Sequence, residues 1–282
     1  MKIKIIADSS ADLLSMDGID FESVPLTINS TDNEYVDDSL LDVERMVKEL
    51  SLYKGKSGTS CPSVGSWLDS FEGYDEIYVV TITGKLSGSY NSANAAKSMY
   101  LEENPNAKIH IFDSYSTGPE MLLLIEKIHE LVNLGYEFNE VVDQAIKYLN
   151  STELYFSLES LHNLAQNGRV SKLSEVAAKI LNIKVIGKAL DGQLQLLNKS
   201  IGSKRAFATL TEHILKTYKG GKMRISHVNN LALANKIKEF FINLFKDCFD
   251  FFTEASSVFT IHAITEMSLS LKKDEVIFFP NP

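Results

Sequence analysis

EIYVVTITGKLSGSYNSANAAKSMYLEENPNAKIHIFDS (76–114) decides how this chain folds. Two apolar runs, EIYVVTIT (76–83) and KIHIFDS (108–114), are short and end in turn formers, as buried strands do. Between them SGSYNSANAAKSMYLEE (87–103) reads as a helix, with Tyr90, Ala93 and Tyr100 among its apolar face. A strand, a helix and a second strand at this spacing predict a parallel sheet covered by helices.

The pattern extends both ways from that unit. Toward the N-terminus, IKIIAD (3–8) and SVPLTI (23–28) read as strands. LDVERMVKEL (41–50) reads as a helix with Val43, Met46, Val47 and Leu50 on one face and Ser39 or Asp42 as its cap. Beyond residue 114, PEMLLLIEKIHELVNLG (119–135) starts with proline in the first turn and stops at glycine, and a second helix, FNEVVDQAIKYLN (138–150), follows. The pattern then restarts. LYFSL (154–158) is a strand, SKLSEVAAKILN (171–182) a helix, and IKVIGKALDGQLQLLNKS (183–200) a hairpin about Asp191–Gly192. SKRAFATLTEHILKTYKGG (203–221) is amphipathic and closed by glycines; KMRISHV (222–228), a helix over 231–246 and EVIFFP (275–280) complete the chain. The expectation is an α/β protein of two domains, 1–153 with a mostly parallel sheet flanked by helices and 154–282 with a second α/β arrangement.

Charge and cysteine usage narrow the function. The 282 residues carry a net charge of −9, against the basic footprint that sequence-independent nucleic-acid binding needs and against docking on anionic lipid by charge. Cys61 and Cys248 are the only cysteines, which excludes a disulfide scaffold, and no cysteine–histidine spacing fits zinc. The opening MKIKIIADSS has too short an apolar run for a secretory signal, and no apolar run is long enough to span a bilayer. These features predict a reduced, cytoplasmic protein.

Ligands of α/β sheets bind beyond the carboxyl ends of the strands. Four polar clusters fall at such ends: ADSSADL (7–13), TSCPS (59–63), TGKLSGSYNSA (83–93) and DSYS (113–116). Singly, each reads as helix capping; together in one half they point to a site. Three enzyme motifs come close and fail. Asp8 after the first strand suggests an aspartyl-phosphate nucleophile, but the second acid such sites carry two residues on is Ser10 here. GKLSG (84–88) has the wrong spacing for a nucleophile elbow, and no glycine-rich nucleotide loop occurs.

DSSADL (8–13), VPL (24–26), TSCPS (59–63), LSGSYNSA (86–93), DS (113–114), NGRVSK (167–172) and ILNIK (180–184), in this order, resemble the DegV family, the fatty-acid-binding component of bacterial fatty acid kinase. The resemblance runs nearly end to end, with DGQ (191–193), KR (204–205) and His262 as weaker late pieces. It implies a two-domain protein that encloses one long-chain fatty acid, with the carboxylate at the domain junction and the chain in an apolar tunnel of the C-terminal domain. It implies no cofactor, no catalytic group of the chain's own, and a separate ATP-dependent kinase catalytic subunit that forms the acyl phosphate. Physically, a carboxylate taken out of water needs several donors. Hydroxyls of Thr59 or Ser60 and of Ser87 or Ser89, with the Gly88 N–H at a helix N-terminus, can supply them. The resemblance adds Arg169 and His262 at the polar head. The chain departs from the family where Cys61 replaces a common glutamine, where Ile201 stands at a frequent arginine, and where AITEMS (263–268) follows His262 in place of a glycine-rich run. The tunnel lining is expected from 177–186, 207–210, 239–245 and 251–259. Two other readings stay open: an acyl hydrolase using Ser87 or Ser89 with His262, and a regulatory protein with a lipid signal.

Overall fold

The computed structural model describes residues 1–53, 55, 57–158, 167–169, 183–218, 221–228, 231–244, 249–254 and 275–280. The helix expected over 171–182 and His262 lie outside the described residues.

The first sheet has the strand order β2 (Asp20–Val24), β1 (Ile3–Asp8), β6 (Glu76–Thr81), β7 (Lys108–Asp113). All three pairings are parallel, as the 76–114 unit predicts. Side chains of successive strand residues point to opposite faces, and the two cores of this half follow that parity. Ile5, Ala7, Tyr78, Val80 and Phe112 pack against α4 (Pro119–Asn133) and α5 (Phe138–Leu149). Ile6, Ile77, Val79, Ile109 and Ile111 pack against α2 (Val64–Phe71) and α3 (Ser89–Glu103) through Trp67, Phe71, Ala93 and Ala96.

The strand expected over 23–28 is two strands. Proline cannot donate to a ladder, and the chain changes sheets at Pro25: β2 ends at Val24 and β3 (Thr27–Asn29) pairs antiparallel with β4 (Glu34–Val36) and β5 (Gly58–Ser60). Helix α1 (Val43–Leu52) packs Met46 and Leu50 on this ribbon, and its cap is Asp42, whose Oδ1 accepts the Arg45 N–H at 2.9 Å.

The second sheet has the order β10 (Gln193–Ile201), β9 (Ile183–Leu190), β8 (Tyr155–Leu158), β13 (Glu275–Pro280), β11 (Met223–Val228), β12 (Phe249–Glu254). Only β11–β12 is parallel. The β9–β10 hairpin turns on Asp191 and Gly192 at φ 51° and 76°, the two positive values of a type I′ turn. Helices α6 (Ser203–Thr217) and α7 (Leu231–Leu244) bury Leu210, Ile214, Ile237 and Phe241 with Tyr155, Ile186 and Ile225 of the sheet.

Helix α4 joins the two sheets. Every residue from Pro119 to Ile125 is buried, as are Ile128 and Leu131. A helix apolar round most of its circumference must be covered on more than one side, and α4 packs on β6 of the first sheet and on β11 and β13 of the second. Arg224 of β11 forms an ion pair with Glu126 of α4 across this contact.

Candidate functional site

The parallel sheet sends the carboxyl ends of β1, β6 and β7 to one edge, and each end places a polar group. β1 ends on Asp8, which is fully buried. Its carboxylate accepts the Ile82 N–H at 2.9 Å and the Ser89 hydroxyl at 2.5 Å. It also accepts both the N–H and the hydroxyl of Ser10. Burial pushes the Asp8 carboxyl above its ordinary range, and these donors pull it back down. β7 ends on Asp113, which accepts the Gly84 N–H at 3.2 Å and the Tyr115 N–H at 2.9 Å. Loop 82–88 after β6 is thus held from beneath by two carboxylates.

Above that loop lies a cleft of about 490 Å³. One wall is the end of β5, with Thr59, Ser60 and Cys61; the other runs from Gly84 to Gly88 and on to Asn91; Arg169 completes the lining. Five of the residues singled out in the sequence therefore meet here: Thr59, Ser60, Ser87, Gly88 and Arg169. The hydroxyls of TSCPS (59–63) divide between two roles. Ser63 caps α2, its Oγ accepting the Ser66 N–H at 3.0 Å, whereas Thr59 and Ser60 line the cleft. The Ser60 oxygen accepts from Asn29 at 2.6 Å and the Ser87 oxygen from the Ser89 N–H at 3.2 Å. In both, the hydroxyl proton is left to donate elsewhere.

Gly88 is the N-cap of α3 and offers no side-chain cap. The first intrahelical bond of α3 runs from Ser92 N–H to Gly88, so the N–H groups of the first turn, with their share of the helix dipole, face the start of the helix. A Cβ at 88 would sit 3.0 Å from the Cys61 sulfur, so glycine there permits the close approach of the opposite wall. The Arg169 guanidinium is held by backbone, donating from Nη1 to the Asn167 carbonyl at 2.9 Å and from Nε to the Leu86 carbonyl at 3.5 Å.

Ser89 does not join them. It is fully buried and gives its proton to Asp8, which corrects its expected place among the direct donors. A serine one position inside a helix points back under the preceding turn, here toward the sheet. Neither Ser87 nor Ser89 has a histidine partner among the described residues. Lys85 and Asn91, which are not among the expected ligand groups, also line the cleft. Asp8 is legible as the acid closing β1, and nothing in the TGKLSGSYNSA cluster sets Lys85 or Asn91 apart from its other polar residues. Of the expected tunnel lining, Leu210 and Phe241 pack in the second core and Phe207 stacks edge-on against Phe240. Residues 177–182, 245 and 255–259 lie outside the described residues. Among those described, no helix is long and apolar enough to cross a membrane, and no cluster of acids, histidines and cysteines could hold a metal.

The model of the DegV family, described as an uncharacterised protein family, matches residues 2–271. A DegV domain-containing protein of Streptococcus pyogenes serotype M3 is 42% identical over 253 residues, covering 88% of this chain and 90% of that protein. Among solved structures, a DegV family protein from Eubacterium eligens loaded with heptadecanoic acid is 39% identical, with a TM-score of 0.91 over 99% of both chains. The Streptococcus pneumoniae fatty acid kinase (Fak) B3 protein loaded with linoleic acid is 36% identical, with a TM-score of 0.92 over 100% of this chain and 99% of that one.

Proposed function

This chain belongs to the DegV family, and we propose that it is a carrier that binds a long-chain fatty acid with its carboxylate in the cleft and its hydrocarbon chain enclosed by the second half. The observation that carries this reading is the meeting of Thr59, Ser60, Ser87, the N-terminus of α3 and Arg169 around one opening at the edge of the parallel sheet. These groups are donors and a cation, which suits an anion removed from water. The similar Eubacterium and Streptococcus proteins hold fatty acids. The division into a head-group domain, 1–153, and an acyl-chain domain, 154–282, follows from the same reading, and the cytoplasm is where its substrate and partner meet.

The second step is presentation of the carboxylate to a separate ATP-dependent kinase subunit, which forms the acyl phosphate while this chain supplies no catalytic group. The fatty acid kinase name of the similar Fak B3 protein supports this step. Arg169 serves the phosphoryl group, whose extra charge a guanidinium matches in shape and sign. Mass spectrometry of lipid extracted from the purified protein tests the carrier reading: a stoichiometric fatty acid is expected, and none before or after incubation with free fatty acid sinks it. For the kinase step, Arg169→Ala is expected to lower acyl phosphate formation more than fatty acid binding; equal losses would remove the assigned role.

A further inference from the structure

Thr83 ties the cleft to the second sheet. It lies two residues beyond the end of β6 and is 1% exposed. Its Oγ1 donates to the Gly192 carbonyl at the tip of the β9–β10 hairpin at 3.1 Å and accepts the Lys85 N–H at 3.2 Å. Its carbonyl accepts the N–H groups of Leu86 at 3.0 Å and Ser87 at 3.2 Å, and its own N–H donates to Ser116 at 2.9 Å. One side chain therefore connects a tip from the second half to the peptide units that carry Lys85 and Ser87 into the cleft.

The contact is close-fitting. Gly192 is buried although Asp191 beside it is exposed. A Cβ on Gly192 would lie 2.4 Å from the Thr83 Oγ1 and 3.1 Å from Cγ of Lys85, and its φ of +76° already disfavours any side chain. The type I′ turn explains a glycine at this position; it does not explain why the turn is buried against the loop that forms the cleft wall. Thr83 is β-branched and stiff at χ1, so its hydroxyl cannot follow the tip if the tip moves.

We infer that Thr83 is a positioning residue for the head-group cleft, and that its bond to Gly192 is the latch through which the second sheet fixes Ser87 and Lys85 toward the ligand's carboxylate. The inference rests on the carrier reading above. Its test compares oleate with oleyl alcohol, which shares the chain and lacks the charge, by calorimetric titration of the delipidated protein. Thr83→Val and Gly192→Ala are each expected to weaken oleate binding about five- to tenfold, with oleyl alcohol within about twofold of the parent and Thr83→Ser restoring oleate binding. Should Thr83→Val not fold, Gly192→Ala against Thr83→Ser gives the same comparison from the hairpin side. Unchanged oleate affinity, or equal loss for both ligands, overturns the latch while the carrier reading stands. A parent protein that binds neither ligand overturns both.

Discussion

The two sheets use their strands differently. In the parallel sheet every strand ends at the same edge, so Asp8, Thr83 and Asp113, distant in sequence, arrive within one neighbourhood. In the second sheet four of the five pairings are antiparallel, so strand ends alternate and, among the described residues, no such gathering occurs. That sheet contributes through a face, where Tyr155, Ile186 and Ile225 meet α6 and α7, and through one hairpin tip. The difference teaches where to look in such a chain: polar chemistry at the edge of the parallel sheet, apolar volume on the faces of the mixed one.

The largest expected effect tests the face. Phe241 is fully buried between Tyr218 and Phe240, and Phe241→Ala should destabilise the protein by about 4 kcal/mol in urea unfolding. A loss below about 1 kcal/mol would mean the second half does not depend on this packing.

Next comes the helix between the sheets. Burial pushes Glu120 of α4 up from 4.5 to about 7, against a hydrogen bond from Thr152, with Glu153 adding to the rise. Because the folded state holds this proton more tightly than the unfolded chain, the stabilisation is complete below pH 4.5 and is lost as pH rises through about 7. Glu120→Gln should flatten this slope and leave the variant more stable than the parent at pH 8 by up to about 3 kcal/mol. Thermal melts across that range decide it; parallel curves would remove Glu120 as the titrating group.

At the edge, Thr59, Ser60 and Ser87 replaced together by alanine should weaken fatty acid binding about ten- to a hundredfold, the loss of one to two hydrogen bonds to a buried charge. Ser89→Ala, by contrast, should lower the melting temperature and spare affinity, since its hydroxyl serves Asp8. A reversed outcome would exchange the roles of Ser87 and Ser89. The smallest effect belongs to Lys85, exposed at the rim. Lys85→Ala should cost about two- to threefold in oleate affinity at low salt and nothing at high salt.

Much of this was legible in the chain itself. Strand–helix–strand spacing in 76–114 set the parallel pairing, Asp191–Gly192 set the hairpin turn, and Pro119 with Gly135 bracketed α4, because period, turn chemistry and caps are local. The ordered motifs also named Thr59, Ser60, Ser87, Gly88 and Arg169. What they could not say is which hydroxyl faces the opening. Ser87 and Ser89 are alike in sequence and differ only because the first turn of α3 directs one to the cleft and the other to a carboxylate 81 residues away. Likewise MLLLI reads as one apolar run, and only the docking of a second sheet on α4 explains why all of it is buried. Sequence by itself determined the elements, whose causes lie within a few residues. Tertiary structure alone decided the partners of Asp8, Thr83 and Gly192, because those depend on distances between segments that no local rule fixes.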